Sequence, residues 1–220
     1  AKKLGIDYDS LRALNPSLIF AQITGFGPGI DRPAFDVVLQ AEAGFLYMCG
    51  EPEGMPVKMP VAMVDVLASH QLKQGILLAL LHRERTGEGG FVEASLFEAA
   101  VAALVNQATN WLMAGHIPQR MGTMHPNIAP YGFVFETKDG KYLILASGTE
   151  AQVSKVFELL GIADLKKDAR FATNEQRIAH RKELKAKMDP AFLQYSRQEL
   201  MLLFEKAGIP AGRILDMQEV

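Results

Sequence analysis

Leu18-Ile19-Phe20-Ala21-Gln22-Ile23-Thr24 is a short apolar run with β-branched members, closed by Gly25-Phe26-Gly27-Pro28-Gly29. That pattern predicts a mostly buried strand delivering a glycine-rich loop. After Asp31-Arg32-Pro33, the residues Val37, Val38, Ala41, Phe45 and Leu46 recur at helical spacing from Phe35 to Tyr47, and Gly50-Glu51-Pro52 closes the segment. A long helix is predicted from Val66 to Arg85, with Leu72, Ile76, Leu77, Leu80 and Leu81 on a wide apolar face. Asp65 falls at its N-cap, His82, Arg83 and Arg85 sit in a last turn whose dipole suits cations, and Gly87 closes it. Phe91 to Ala94 reads as a short strand, and Ser95 with Glu98 forms a capping box opening a helix that runs through Trp111 to Gly115.

The texture changes past Arg120. Tyr131 to Phe135 and Tyr142 to Ala146 flank Lys138-Asp139-Gly140-Lys141, and Asp-Gly between apolar runs predicts a hairpin. Three helices follow, with starts marked by Thr149 and Gln152, Thr173 and Gln176, and Ser196 and Glu199. Their ends are marked by Gly161, by Pro190, and by Gly208 with Pro210. The fold class is α/β: an α/β first segment, a polar linker, then a smaller α+β segment.

The 220 residues suffice for a core that needs no disulfide or metal. Lys and Arg number 23 against 25 Asp and Glu, a formal net charge of −2, so no global field gathers polyanions and nucleic acid is a poor partner. The one cysteine, Cys49, fits a reducing compartment. No apolar stretch is long enough to span a bilayer, and the N-terminus lacks the apolar block of a secretory signal, so the expectation is a soluble cytoplasmic protein without a membrane partner.

Chemistry is harder to locate. None of the five histidines stands four residues from another, and neither H-E-x-x-H nor C-x-x-C occurs, so no metal site is expected. Ser69-His70 and Cys49 lack a nucleophile elbow around them. Gly25, Gly27 and Gly29 miss the dinucleotide spacing and precede Asp31-Arg32-Pro33 instead of a helix. Asp65 is more informative, being a carboxylate between Val61-Ala62-Met63-Val64 and Val66-Leu67-Ala68 at the mouth of a helix. By position it reads first as a cap, and the same physics allows a nucleophile, kept ionised by helix amides and sharpened by low polarity. Periodicity does not choose between them.

Together these residues resemble the class III CoA-transferases, the family of formyl-CoA transferase and the CaiB/BaiF proteins, which includes α-methylacyl-CoA racemase. The likeness is carried by Asn15 to Phe20 with Ile23 to Gly27, Asp31-Arg32-Pro33-Ala34-Phe35-Asp36, Val64-Asp65, Leu80 to Gly89 and His125 to Tyr131. Ala169 to Asn174 and Gly208 to Gly212 add to it. The resemblance implies an acyl-CoA:carboxylate CoA-transferase whose catalytic residue is Asp65, with a covalent aspartyl-CoA thioester. It implies CoA or acyl-CoA as substrate lying along Arg32, Pro33, Ala34, Phe35 and Asp36, with no permanently bound cofactor. An arginine and an aromatic ring suit phosphates and an adenine. The partners implied are a carboxylic acid and a second identical chain, in an interlocked homodimer.

The same resemblance divides the chain into part of a Rossmann-like CoA-binding domain (1–118), a linker (119–131) and a small α+β domain (132–220). It also implies that the chain corresponds to the middle of a family member, which keeps an inactive CoA-binding fragment as an alternative. Phe35 occupies the position of the racemase histidine and cannot take a proton, which favours acyl transfer over the racemase alternative. Glu150 aligns with an acid used in the racemase.

Overall fold

The computed structural model describes residues 2–220; Ala1, the first residue of the N-terminal stretch, lies outside the described residues. The chain forms two compact units, one ending at Arg120 and the other spanning Met121–Val220.

In the first unit, α1 (Tyr8–Leu14) starts where Asp7 Oδ1 accepts from the Ser10 N–H at 3.1 Å. It is followed by β1 (Ile19–Thr24), α2 (Asp36–Glu42), α3 (Phe45–Met48), α4 (Met63–Thr86), β2 (Gly90–Ser95), α5 (Leu96–Ala102) and α6 (Asn106–Ala114). β1 and β2 pair in parallel, from Ile19 opposite Gly90 to Thr24 opposite Ser95. A parallel pair needs a crossover, and α4 supplies it, packing along both strands. Gly75 permits that approach, because a Cβ there would lie 2.4 Å from Val92 Cγ1. On the opposite face the rings of Tyr8, Phe20 and Phe91 meet with centroids 5.3–6.0 Å apart. Leu39, Ala43, Val64 and Ala100 form the buried core between α2, α4 and α5.

Several expectations change here. The 35–47 helix is two helices, because Gly44 takes a left-handed φ of 88°. The helix from Ser95 is also broken, at Ala103–Val105, before α6 runs to its Gly115 cap. Val105 there has φ 40°, an unusual conformation for a β-branched residue. β1 is half-exposed rather than mostly buried, since its sheet has two strands among the described residues.

In the second unit, β3 (Phe133–Glu136) and β4 (Tyr142–Leu145) form the expected hairpin, with Gly140 at φ 68° in the turn. Then come α7 (Glu150–Leu159), α8 (Asn174–Ala179), α9 (Arg181–Phe192), α10 (Arg197–Ala207) and β5 (Ala211–Arg213). β5 pairs antiparallel with β4, making a three-stranded sheet that the sequence does not announce. Thr149 and Ser196 sit in capping boxes, and Thr173 accepts from the Gln176 N–H. Pro190 does not end the second of the three expected helices. That helix breaks at His180, and Pro190 lies inside α9, two residues before its end. The sheet and helices close on Phe133, Phe135, Leu143, Leu145, Phe157, Phe192 and Phe204, with Phe135 stacked on Phe192 at 3.6 Å. No described helix is long and apolar enough to cross a membrane.

Candidate active site

In parallel α/β sheets ligands sit beyond the carboxyl ends of the strands, so the loop leaving β1 is the first place to look. Gly25 opens that loop under tight constraint. Its carbonyl accepts from the Phe97 N–H at 3.0 Å, and a Cβ on it would lie 2.3 Å from the Ala34 Cβ. Gly27 and Gly29 take φ of 101° and 78°, which L side chains rarely adopt, so the chain turns back on itself there. The returning segment, without regular secondary structure until α2 begins at Asp36, lays residues 32–36 beside the loop. Phe26 packs near Phe97, with centroids 6.1 Å apart, and the Arg32 guanidinium lies 4.5 Å from the Phe26 ring centroid. Arg32 also grips Glu42 through its two terminal guanidinium nitrogens, one bond measuring 2.8 Å, and this pairing raises the Arg32 pKa and lowers that of Glu42.

The five residues of this segment divide by direction. Arg32, Pro33 and Phe35 are open to solvent, with Phe35 68% exposed. Ala34 and Asp36 are half-buried. Asp36 is the surprise. One carboxylate oxygen accepts from the Val64 N–H at 2.7 Å and the other from Gln40 Nε2. Gln40, fully buried, accepts in turn from the Met59 N–H at 2.9 Å and donates to the Val61 carbonyl. Asp36 and Gln40 thus fasten the irregular segment before α4 and set where that helix begins.

Asp65 is therefore not the N-cap. The helix starts two residues earlier, at Met63, its N-cap position is Ala62, and the side-chain cap comes from Asp36. Asp65 is left in the first turn, exposed, with no hydrogen-bonding or ion-pair partner for its carboxylate among the described residues. Partial desolvation, followed by the like charge of Asp36, pushes its carboxyl above the usual aspartate range. An unshared carboxylate is a better nucleophile than one wrapped in hydrogen bonds.

Sequence reasoning missed Gln40, Glu42 and the capping role of Asp36. An acid in the first turn with glutamine four residues on was the available signal, but its partners at Met59, Val61 and Val64 are distant in sequence. Glu150 belongs to the second unit, where Arg177 holds both its oxygens, at 2.6 and 3.0 Å, and keeps its carboxyl below the ordinary range. No group of three potential metal ligands stands together among the described residues.

Compared with known proteins, the sequence matches CoA-transferase family III over residues 1–220. It is 39% identical over 221 residues to the succinate–glutarate CoA-transferase of Agrobacterium fabrum, covering 99% of this chain and 55% of that protein. To the succinyl-CoA:glutarate CoA-transferase of Mus musculus it is 34% identical, covering 99% and 50%. The crystal structure of a CaiB/BaiF family protein from Brucella suis superposes with a TM-score of 0.89 at 41% identity, covering 100% of this chain and 58% of that one. The chain spans about half the length of the curated relatives it matches.

Proposed function

Because the chain belongs to CoA-transferase family III, we propose that the whole protein is an acyl-CoA:carboxylate CoA-transferase in which Asp65 carries first the acyl group and then the CoA. The observation that carries this reading is the state of Asp65. It is fixed at the mouth of a 24-residue helix whose cap is supplied elsewhere, and its carboxylate is unshared and pushed up by partial desolvation. Nothing in the helix needs that side chain for its own structure.

The reaction runs as paired exchanges. An Asp65 oxygen attacks the thioester carbonyl, the C–S bond breaks, and CoA leaves as thiolate from a mixed anhydride. The thiolate attacks the Asp65 carbonyl, expelling the donor's carboxylate and leaving an aspartyl-CoA thioester. An acceptor carboxylate attacks that thioester, giving a second anhydride and CoA thiolate. Thiolate attack on the new acyl carbonyl then releases acyl-CoA and restores Asp65. No proton is consumed, so no acid or base is required, but each activated species must be kept from water.

CoA lies along the 32–36 segment. Arg32 and the exposed Phe35 ring are its points of contact, while Ala34 and Asp36 shape the segment from within. The names of the relatives favour short dicarboxylic acids, succinate and glutarate, as the groups exchanged. The racemase reading is disfavoured because Phe35 offers no base and Glu150 is committed to Arg177. An interlocked homodimer is supported by exposed apolar side chains such as Leu77, Leu78, Trp111 and Leu112, which a partner chain would cover.

The test uses the full-length protein with succinyl-CoA. A covalent adduct should appear on the peptide containing Asp65, and hydroxylamine should trap it as a hydroxamate. Asp65→Asn should abolish both the adduct and turnover. A label on another residue, or transfer at wild-type rate by the variant, would overturn the reading.

A further inference from the structure

Residues 49–62 contain no helix or strand, and they lead straight into the first turn of α4. Nothing local fixes where that turn stands, since Ala62 at the N-cap makes no side-chain bond to the free N–H groups. Helix ends left in this state fray. Asp65 sits in that turn, exposed to solvent, so its carboxylate would wander with it.

The turn is fixed from α2 instead. Gln40 is fully buried beside Leu39, and its amide reaches three groups. The oxygen accepts from the Met59 N–H at 2.9 Å, while the nitrogen donates to the Val61 carbonyl at 3.3 Å and to the Asp36 carboxylate. The other Asp36 oxygen accepts from the Val64 N–H at 2.7 Å. The Val61 carbonyl also takes the Met63 N–H at 2.8 Å, so Gln40 and the first residue of α4 meet on one oxygen. One amide therefore joins the backbone on both sides of Pro60 to the cap carboxylate, and the chain of bonds ends one residue short of Asp65.

Only an amide serves here. A carboxylate could take the Met59 N–H but would face Asp36 and the Val61 carbonyl with no proton to give, and an apolar side chain of the same length would leave all three groups unmatched. Packing alone would be met by another leucine, as at Leu39, so burying an amide at this place is a cost that a demand for position explains.

We infer that Gln40 is a positioning residue for the nucleophile, holding the first turn of α4 so that the Asp65 carboxylate is presented in one orientation. The inference rests on the proposed role of Asp65. A nucleophile held in line reacts faster without binding its substrate more tightly, so loosening Gln40 acts on the chemical step and not on affinity.

The experiment is single-turnover acylation of the full-length protein by succinyl-CoA, read by quenched-flow mass spectrometry of the peptide containing Asp65, with thermal melting of every variant. Gln40→Met keeps the length and loses all three bonds. Its acylation rate at saturating succinyl-CoA should fall about 10–100-fold, with the half-saturating concentration within about twofold of wild type. Gln40→Asn holds the amide one methylene short of its partners, gives the same direction at about three- to tenfold, and serves where Gln40→Met does not fold. Gly87→Ala is the control for lost stability. It strains the left-handed C-cap at the far end of α4, about 33 Å from Asp65, and should lower the melting temperature without slowing acylation. Folded Gln40 variants that acylate at the wild-type rate, or that lose affinity while keeping the rate, would overturn the inference, as would a Gly87→Ala protein slowed as much as they are. Wild-type protein that gains no label on Asp65 would sink the proposed function itself, a distinguishable result.

Discussion

Asp36 accepts a hydrogen bond from the backbone N–H of Val64 at 2.7 Å, so the helix bearing Asp65 is capped by a carboxylate from a different helix. The cap also lies close enough to raise the Asp65 pKa by its charge. Asp36→Ala should cost about 1–2 kcal/mol, the usual loss for an N-cap carboxylate. Asp36→Asn keeps an acceptor oxygen and should cost less, while Asp65, relieved of a like charge, should titrate lower. Carbon-13 NMR of the Asp65 carboxyl, with melting of both variants, checks the pair.

Asp65→Asn should leave stability within about 0.5 kcal/mol of wild type, the range of surface substitutions away from structural features. The side chain makes no hydrogen bond or ion pair among the described residues, and the loss of first-turn charge is offset by relief of repulsion from Asp36. Denaturant melts read this directly. A large destabilisation would mean that Asp65 serves the fold.

Acid should unfold the second unit through three anchored carboxylates. Arg177 lowers Glu150, Arg197 with Lys141 takes Glu219 to about 2, and Arg170 takes Asp168 to about 2. A carboxyl depressed in the folded state adds stability that is fully present above its unfolded pKa and lost as pH falls through its folded value. Stability from these groups should therefore hold above about pH 5 and fall between about pH 4.3 and 2. Glu219→Gln should flatten that acid limb in melts across pH 2–7. Asp65, raised instead of lowered, has the opposite sign: what it adds is lost as pH rises through its folded pKa.

Gly25→Ala should push the Ala34 segment aside, since the new methyl carbon would lie 2.3 Å from the Ala34 Cβ. Overpacking of this kind costs about 1–3 kcal/mol. Adding Ala34→Gly removes the opposing methyl and should recover most of that loss. Double-mutant melting measures the coupling, and independent, additive effects would contradict the close approach.

What was legible in the sequence was local. The caps at Ser95, Thr149, Thr173 and Ser196 are each seen in the structure, because a cap is made by residues three apart. The hairpin around Asp139-Gly140 was legible for the same reason. The breaks at Gly44, Ala103–Val105 and His180 were not, since the apolar period runs on through all three while the backbone does not. β5 is three residues long and exists because β4 offers it an edge. At the site, Asp65 stands out by its apolar flanks at a helix mouth, while its role and the segment 32–36 come from family likeness. The division of that segment into outward Arg32, Pro33 and Phe35 and inward Ala34 and Asp36 depends on Gly25, Gln40 and Val64, contacts that no local pattern encodes.

The two cores differ in kind: six phenylalanines are fully buried in the second unit's cluster, whereas the first unit's cluster rests on Leu39, Ala43, Val64 and Ala100. Amide protons report such differences as opening free energies, and regions with few buried apolar contacts open first. Those of β4 and α9 should exchange with solvent far more slowly than those of the 25–36 segment. The chain would then keep its slow, concerted breathing in the unit that holds Glu150 and its fast, local breathing around Asp36. A ligand seated on that segment would be felt chiefly as slower exchange there, its binding energy spent on quieting a region that flickers open when empty.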